Sequence, residues 1–296
     1  MKLFIINTLP ALLGILILLL LAVTGHYWQK FKMVTQKSPL TFDLLRNPGE
    51  SVRARLEELH ADLTIYLLLI PLIPFVFYST VLSRSFYAGI APSRTVVLNS
   101  VGIAAIFTVF SLFKIINLLK SRKAIQLELD CRMAVGQELN RLQTKGCHVF
   151  HDVPAGKFYI DHVVVGEAGV YAVNTLGREK PPGSRVTQDA KVTYDGMWFD
   201  FPDKKENAPI NQAKLQSAWL ATWLHGVTGE EVVVKPIIAL PGWVVEAKER
   251  HEVSVINGKN PMNLATPREI KLSTELTDRI AFQLEQRCRN AGPNHP

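Results

Sequence analysis

Three long apolar runs open the chain, and short strand-type runs follow them. From Leu3 to Val23 there are 21 residues without a charge, and a helix needs roughly 20 residues to cross a hydrocarbon core about 30 Å thick. A cleaved signal peptide competes for this run. A single leading lysine, a run longer than an ordinary signal core and no small-x-small cleavage site favour a retained span. A second run extends from Leu63 to Leu82 and a third from Thr95 to Phe113, with Lys114 placed to snorkel its ammonium toward an interface. Pro71 and Pro74 would kink the second span. No span carries an interior Asp, Glu or Arg, so packing rather than transport is expected of them.

Past residue 120 the periodicity changes. Leu127 to Gln143 repeats apolar residues at helical spacing with charges opposite, and Gly146 follows as a stop. Strand-type runs come next, at Cys147–Asp152, Phe158–Val165 and Gly169–Asn174, with Gly166 and Gly169 bracketing a tight turn. Val192–Tyr194 and Met197–Phe201 flank Asp195-Gly196, a dipeptide suited to a two-residue hairpin turn. Ala208–Leu224 carries an apolar stripe that predicts a helix packed on a sheet, Trp219 and Trp223 being read as core. A strand at Val232–Leu240 and an amphipathic helix at Thr274–Arg289 complete the pattern.

Composition sharpens this division. Of 296 residues 48% are hydrophobic and 20% charged, and mean hydropathy is +0.12, so the apolar residues are concentrated in the first part. The +7 formal charge is unevenly placed: residues 1–120 hold 11 Lys/Arg against 5 Asp/Glu, and residues 121–296 hold 22 against 21. Basicity therefore belongs to the apolar part and argues little for nucleic-acid binding by the rest. Lys30, Lys32, Lys37, Arg46, Arg53 and Arg55 crowd the first loop, whereas the 84–94 loop has only Arg84 and Arg94. Positive charge is retained in the cytoplasm, which predicts a multi-pass protein of the inner (cytoplasmic) membrane with its C-terminal domain in the cytoplasm. Cys131, Cys147 and Cys288, odd in number and without close spacing, fit a reducing compartment and neither a disulfide framework nor a zinc site.

Four pieces of the second part, AVGQELNRL at 134–142, IDHVVVGEAGVYAVNTLGREK at 160–180, VTYDGMW at 192–198 and APINQAKLQSAWL at 208–220, together resemble the NERD (nuclease-related domain) family. The resemblance spans about 130–245 and implies a restriction-endonuclease-like sheet that presents an Asp on one strand and Glu-x-Lys on the next. In such a site two carboxylates hold a divalent metal and the lysine positions or activates water. Residue by residue it implies that Asp161 is the family's aspartate and metal ligand, Glu138 its helix glutamate, and Gln212 a polar residue of the following helix.

The departure is at Glu-x-Lys, where the chain reads Asn174-Thr175-Leu176. An amide brings no negative charge to a metal, and leucine neither orients water nor neutralises phosphate. Glu179 and Lys180 could migrate into the site, although Pro181 and Pro182 mark irregular chain there. The expected fold class is α/β: three transmembrane helices (3–23, 63–82, 95–113) in a membrane region 1–120, a restriction-endonuclease-like mixed domain over 121–250 and a helical extension over 251–296. The expected function is a membrane-anchored, catalytically impaired domain that binds DNA, RNA or a protein partner. The alternatives are an active magnesium-dependent nuclease with a rearranged site and a structural membrane assembly module, neither of the non-catalytic readings requiring a cofactor.

Overall fold

Charged residues that interrupt an apolar run do not interrupt a helix, because lysine and arginine are good helix formers. The computed structural model shows this directly. It describes residues 43–181, 190–247, 249, 251–259, 261–266 and 271–289. Two long helices, α1 (Glu50–Ala88) and α2 (Arg94–Asn140), contain the second and third apolar runs. The amphipathic segment expected at 127–143 is the continuation of α2, carried through Lys114, Lys120, Arg122 and Lys123 without a break. Pro71 and Pro74 lie inside α1. The first apolar run, 3–23, lies outside the described residues.

The chain divides into two compact units, residues 57–122 in one and 43–56 with 123–289 in the other. Within the first, both helices are long and apolar enough to cross a membrane. Leu68, Phe75, Phe86, Leu98, Ile106, Val109 and Phe113 are exposed, more apolar surface than water-facing helices ordinarily show.

The second unit is a mixed α/β layer structure among its described residues. A five-stranded sheet runs in the order β1-β2-β3-β7-β9: β1 (His148–Pro154), β2 (Tyr159–Gly166), β3 (Gly169–Thr175), β7 (Val234–Ala239) and β9 (Ser254–Ile256). β1, β2 and β3 are antiparallel neighbours, and the β2–β3 turn closes with Gly166 opposite Gly169. β3 and β7 are parallel. Such a connection needs a crossover, supplied by a second sheet and by α3 (Ala208–Thr228). That sheet has the order β6-β5-β4-β8: β4 (Ala190–Tyr194), β5 (Phe199–Asp200), β6 (Lys205–Glu206) and β8 (Trp243–Ala247).

Three apolar clusters hold these layers together. On one face of the large sheet Phe150, Val163, Val165, Val170 and Ala172 meet Leu220 and Leu224 of α3 and Ile280 and Leu284 of α4 (Thr274–Arg289). On the other, Val164, Val173 and Ile237 meet Val135 and Leu139 of α2. Val192, Tyr194, Phe199 and Trp243 of the small sheet pack with Ile210 and Ala213. β9 and α4, both past residue 250, are built into the same unit as the strands before them.

Candidate functional site

Charged residues buried in strands must be paired, and β1 and β2 each bury one. Asp152 is wholly buried and Asp161 nearly so. The β1–β2 register pairs His151 with His162 and Val153 with Ile160, which sets Asp152 across from Asp161. The β2–β3 register begins at His162 opposite Val173 and, one step on, sets Asp161 across from Asn174. Two arginines reach the carboxylates. Arg46 donates to Asp152 Oδ2 through Nε at 2.9 Å and Nη2 at 2.5 Å, and Ser51 adds its backbone N–H and its hydroxyl to the same group. Arg132 of α2 stands 3.0 Å from Asp161 Oδ1 and 3.8 Å from Asp152 Oδ1. The Thr175 amide donates to Asp161 Oδ2 at 2.7 Å. Burial pushes the Asp161 carboxyl up to about 6, against the opposing pull of Arg132 and the Thr175 amide.

A chain of neutral polar groups adjoins the carboxylates. His151 Nδ1 and His162 Nδ1 are 2.9 Å apart, His151 Nε2 is 2.9 Å from Asn140 Oδ1, and His162 Nε2 is 3.2 Å from Thr175 Oγ1. An amide oxygen only accepts, so His151 donates from Nε2 and accepts at Nδ1. His162 then donates from Nδ1 and accepts from the Thr175 hydroxyl. Every proton is placed with both rings neutral. Burial agrees, pushing His151 down to about 4, with Asp152 opposing, and His162 well below 6.5.

The residues singled out from sequence fall into three groups. Asp161 and Asn174 fall on adjacent strands, β2 and β3. Asn174 is buried, and neither atom of its amide has a hydrogen-bond partner among the described residues. Leu176 packs into the apolar cluster beside Ile238 and Ala213. Glu138 turns to Arg141 at 2.8 Å, and Gln212 and Glu179 are exposed. The Lys180 stem lies against Gly242. One helical turn beyond Gln212, Gln216 is buried, donates to the Tyr159 carbonyl at 3.2 Å and leaves its Oε1 without a hydrogen-bond partner among the described residues.

Arg132, Asp152 and the contact between His151 and His162 were not singled out, and Arg46 was read only as a basic residue of the first loop. Two of them carried a signal: Asp152 interrupts the apolar run Val149–Val153, and Arg132 interrupts the apolar stripe of Leu129, Val135 and Leu139. Arg46 carried none.

Residues 129–241, from the last turns of α2 to the end of β7, match the family model described as NERD, nuclease-related domain. The chain carries a nuclease-related domain. No curated protein and no solved structure matched in the same comparisons. The match takes in Arg132, Asp152, Asp161 and Asn174, while Arg46, Ser51 and α4 lie outside it. A divalent cation in this nuclease-related domain would want hard, charged oxygens free to coordinate. Asp161 has both oxygens engaged, Asn174 offers a neutral amide, and among the described residues no three His, Cys, Asp or Glu side chains stand together as a ligand set. As placed, Asp161 and Asn174 present no charged oxygen open to magnesium.

Proposed function

We propose that this is a membrane-anchored nuclease-related protein whose domain has lost phosphodiester cleavage and serves to bind a partner at the cytoplasmic membrane face. The observation that carries the reading is Asp161, whose oxygens are held by Arg132 and the Thr175 amide, while the positions of Glu-x-Lys hold Asn174 and Leu176. Metal-assisted hydrolysis needs a cation to stabilise developing charge and a group to orient water. Here a guanidinium neutralises the aspartate, and an apolar side chain takes the lysine's place.

The anchoring part of the reading rests on α1 and α2, whose apolar surfaces call for lipid, and the topology on the excess of basic residues in the first loop. The near-neutral balance of residues 121–296 supplies little net positive charge to attract a phosphate backbone, which favours a protein partner over nucleic acid. The test is cleavage of supercoiled plasmid and single-stranded RNA by the full chain in detergent micelles, with magnesium or manganese. No cleavage above buffer is expected. Cleavage that Asp161→Ala abolishes would overturn the proposal and make Glu179 and Lys180 the next residues to replace.

A further inference from the structure

Residues 43–51 lead into α1 and open its first turn, and they belong to the unit that holds the carboxylates. They touch it at four places. Arg46, only 9% exposed, reaches Asp152 and lies over the Tyr159 ring at 4.9 Å. Ser51 donates twice to Asp152. Arg289 of α4 donates to the Asp43 carbonyl at 2.6 Å. Pro48 rests on Gly136 of α2: a methyl group there would stand 2.6 Å from Pro48 Cγ and 3.3 Å from His162 Cε1. Glycine is a poorer helix former than alanine, so Gly136 gives up helix stability for this close approach.

Asp152 itself has φ +51, a left-handed conformation that a non-glycine residue keeps only when its surroundings hold it. Those surroundings include Arg46 and Ser51. With the segment in place, Asp152, Asp161 and His162 are all under 5% exposed, so no ligand reaches them.

We propose that residues 43–51 are a latch over the candidate site, fastened by Arg46 in the Asp152 carboxylate and by Pro48 on Gly136, and that partner binding requires it to lift. The proposal rests on the partner-binding reading above and takes the Asp161 end of the sheet as the place where the partner binds. Its test does not depend on that reading, because it measures the latch and needs no partner.

The full chain in micelles is followed by three readouts. Trypsin cleavage after Arg46 reports the latch, diethyl pyrocarbonate modification of His151 and His162 reports access to the site, and hydrogen exchange of the Ser51 amide reports opening in the unmodified protein. In wild type the Arg46–Asn47 bond is expected to be protected, with Ser51 exchanging at least about tenfold faster than the β2 and β3 amides, as a locally opening segment does. Gly136→Ala keeps or strengthens the helix while displacing Pro48, and Asp152→Asn removes the charge that holds Arg46. Either should speed cleavage after Arg46 and modification of His162 by roughly tenfold or more, as loss of a charge-assisted contact predicts. Cleavage without modification of His162 would show a segment that covers nothing, and would overturn the latch. So would Ser51 exchange only on global unfolding, a result that needs no variant to fold.

Discussion

Acid should loosen this domain through its histidine pair, and one substitution should reveal how much. The perturbation is acidification from about pH 7.5 to about pH 4.5, compared between wild type and His151→Gln, whose amide can still donate to Asn140 but carries no titrating group. His151 has a folded value of about 4 against 6.5 when free. A depressed folded value means that the unfolded chain binds the extra proton, so the stability contributed is fully present above 6.5 and is lost as pH falls toward 4. At about 1.36 kcal/mol per unit, the full loss is about 3 kcal/mol. His162, lowered further, adds a loss of the same sign. Asp161 opposes both: its folded value, raised from 3.8 to about 6, contributes stability that is present below 3.8 and lost as pH rises through 6. Its gain on acidification is of similar size to the His151 loss, so His162 makes the net change a loss. Urea midpoints followed by tryptophan fluorescence across the pH range give the slopes. His151→Gln should flatten the acid limb by about 2–3 kcal/mol, and Asp161→Asn should steepen it. Equal limbs in wild type and His151→Gln would refute the buried, neutral pair.

Asn174→Glu with Leu176→Lys should give the full chain measurable manganese binding by titration calorimetry where wild type has none, since a charged oxygen replaces a neutral amide beside Asp161; absence of binding in the double variant would show that Arg132 keeps the carboxylate. A fragment of residues 123–296 lacks Arg46 and Ser51 and leaves Asp152 buried without them. It should be less stable than the intact unit by about 3–5 kcal/mol, and a 42–56 peptide added in trans should raise its melting temperature. A cysteine at Ala91, in the short 84–94 loop, should react with an impermeant thiol reagent in intact cells or spheroplasts, while one at the exposed Lys157 should react only after lysis. The reverse pattern would invert the topology.

Much of the domain was legible because its periodicities are local. β-type runs bracketing the Gly166–Gly169 turn marked β2 and β3, Asp195-Gly196 marked the β4–β5 hairpin, and the stripe of α4 fixed that helix at Thr274–Arg289, where the structure has it. β6, β8 and β9 escaped: β6 is only two residues long, and β8 and β9 are short strands whose partners lie far earlier in sequence. The site divided in the same way. Asp161 and Asn174 could be placed because β2 and β3 are joined by a tight turn, so that counting from Gly166 and Gly169 brings them level. Asp152 and Arg46 pair across 106 positions, and no spacing rule reaches that far. Glu138 shows the limit of carrying a motif over by position: its helix is where expected, but Arg132, two turns earlier, is the residue that faces the aspartates.

The unit that bears the carboxylates is written in two pieces, with residues 57–122 between them. During synthesis, at about 5–20 residues per second, Arg46 therefore waits roughly 5–20 s for Asp152 to be made. Throughout that interval it is an unneutralised cation just ahead of an apolar helix, together with Arg53 and Arg55. Those are the charges that would orient the helix as it enters the bilayer. On the proposed topology Arg46 would serve twice in the life of one molecule, first as a topological signal while unpaired, then as a counter-ion once the sheet has formed. Replacing it with a neutral residue would disturb membrane orientation and domain closure at separate times, and only a time-resolved assay of nascent chains would tell the two apart.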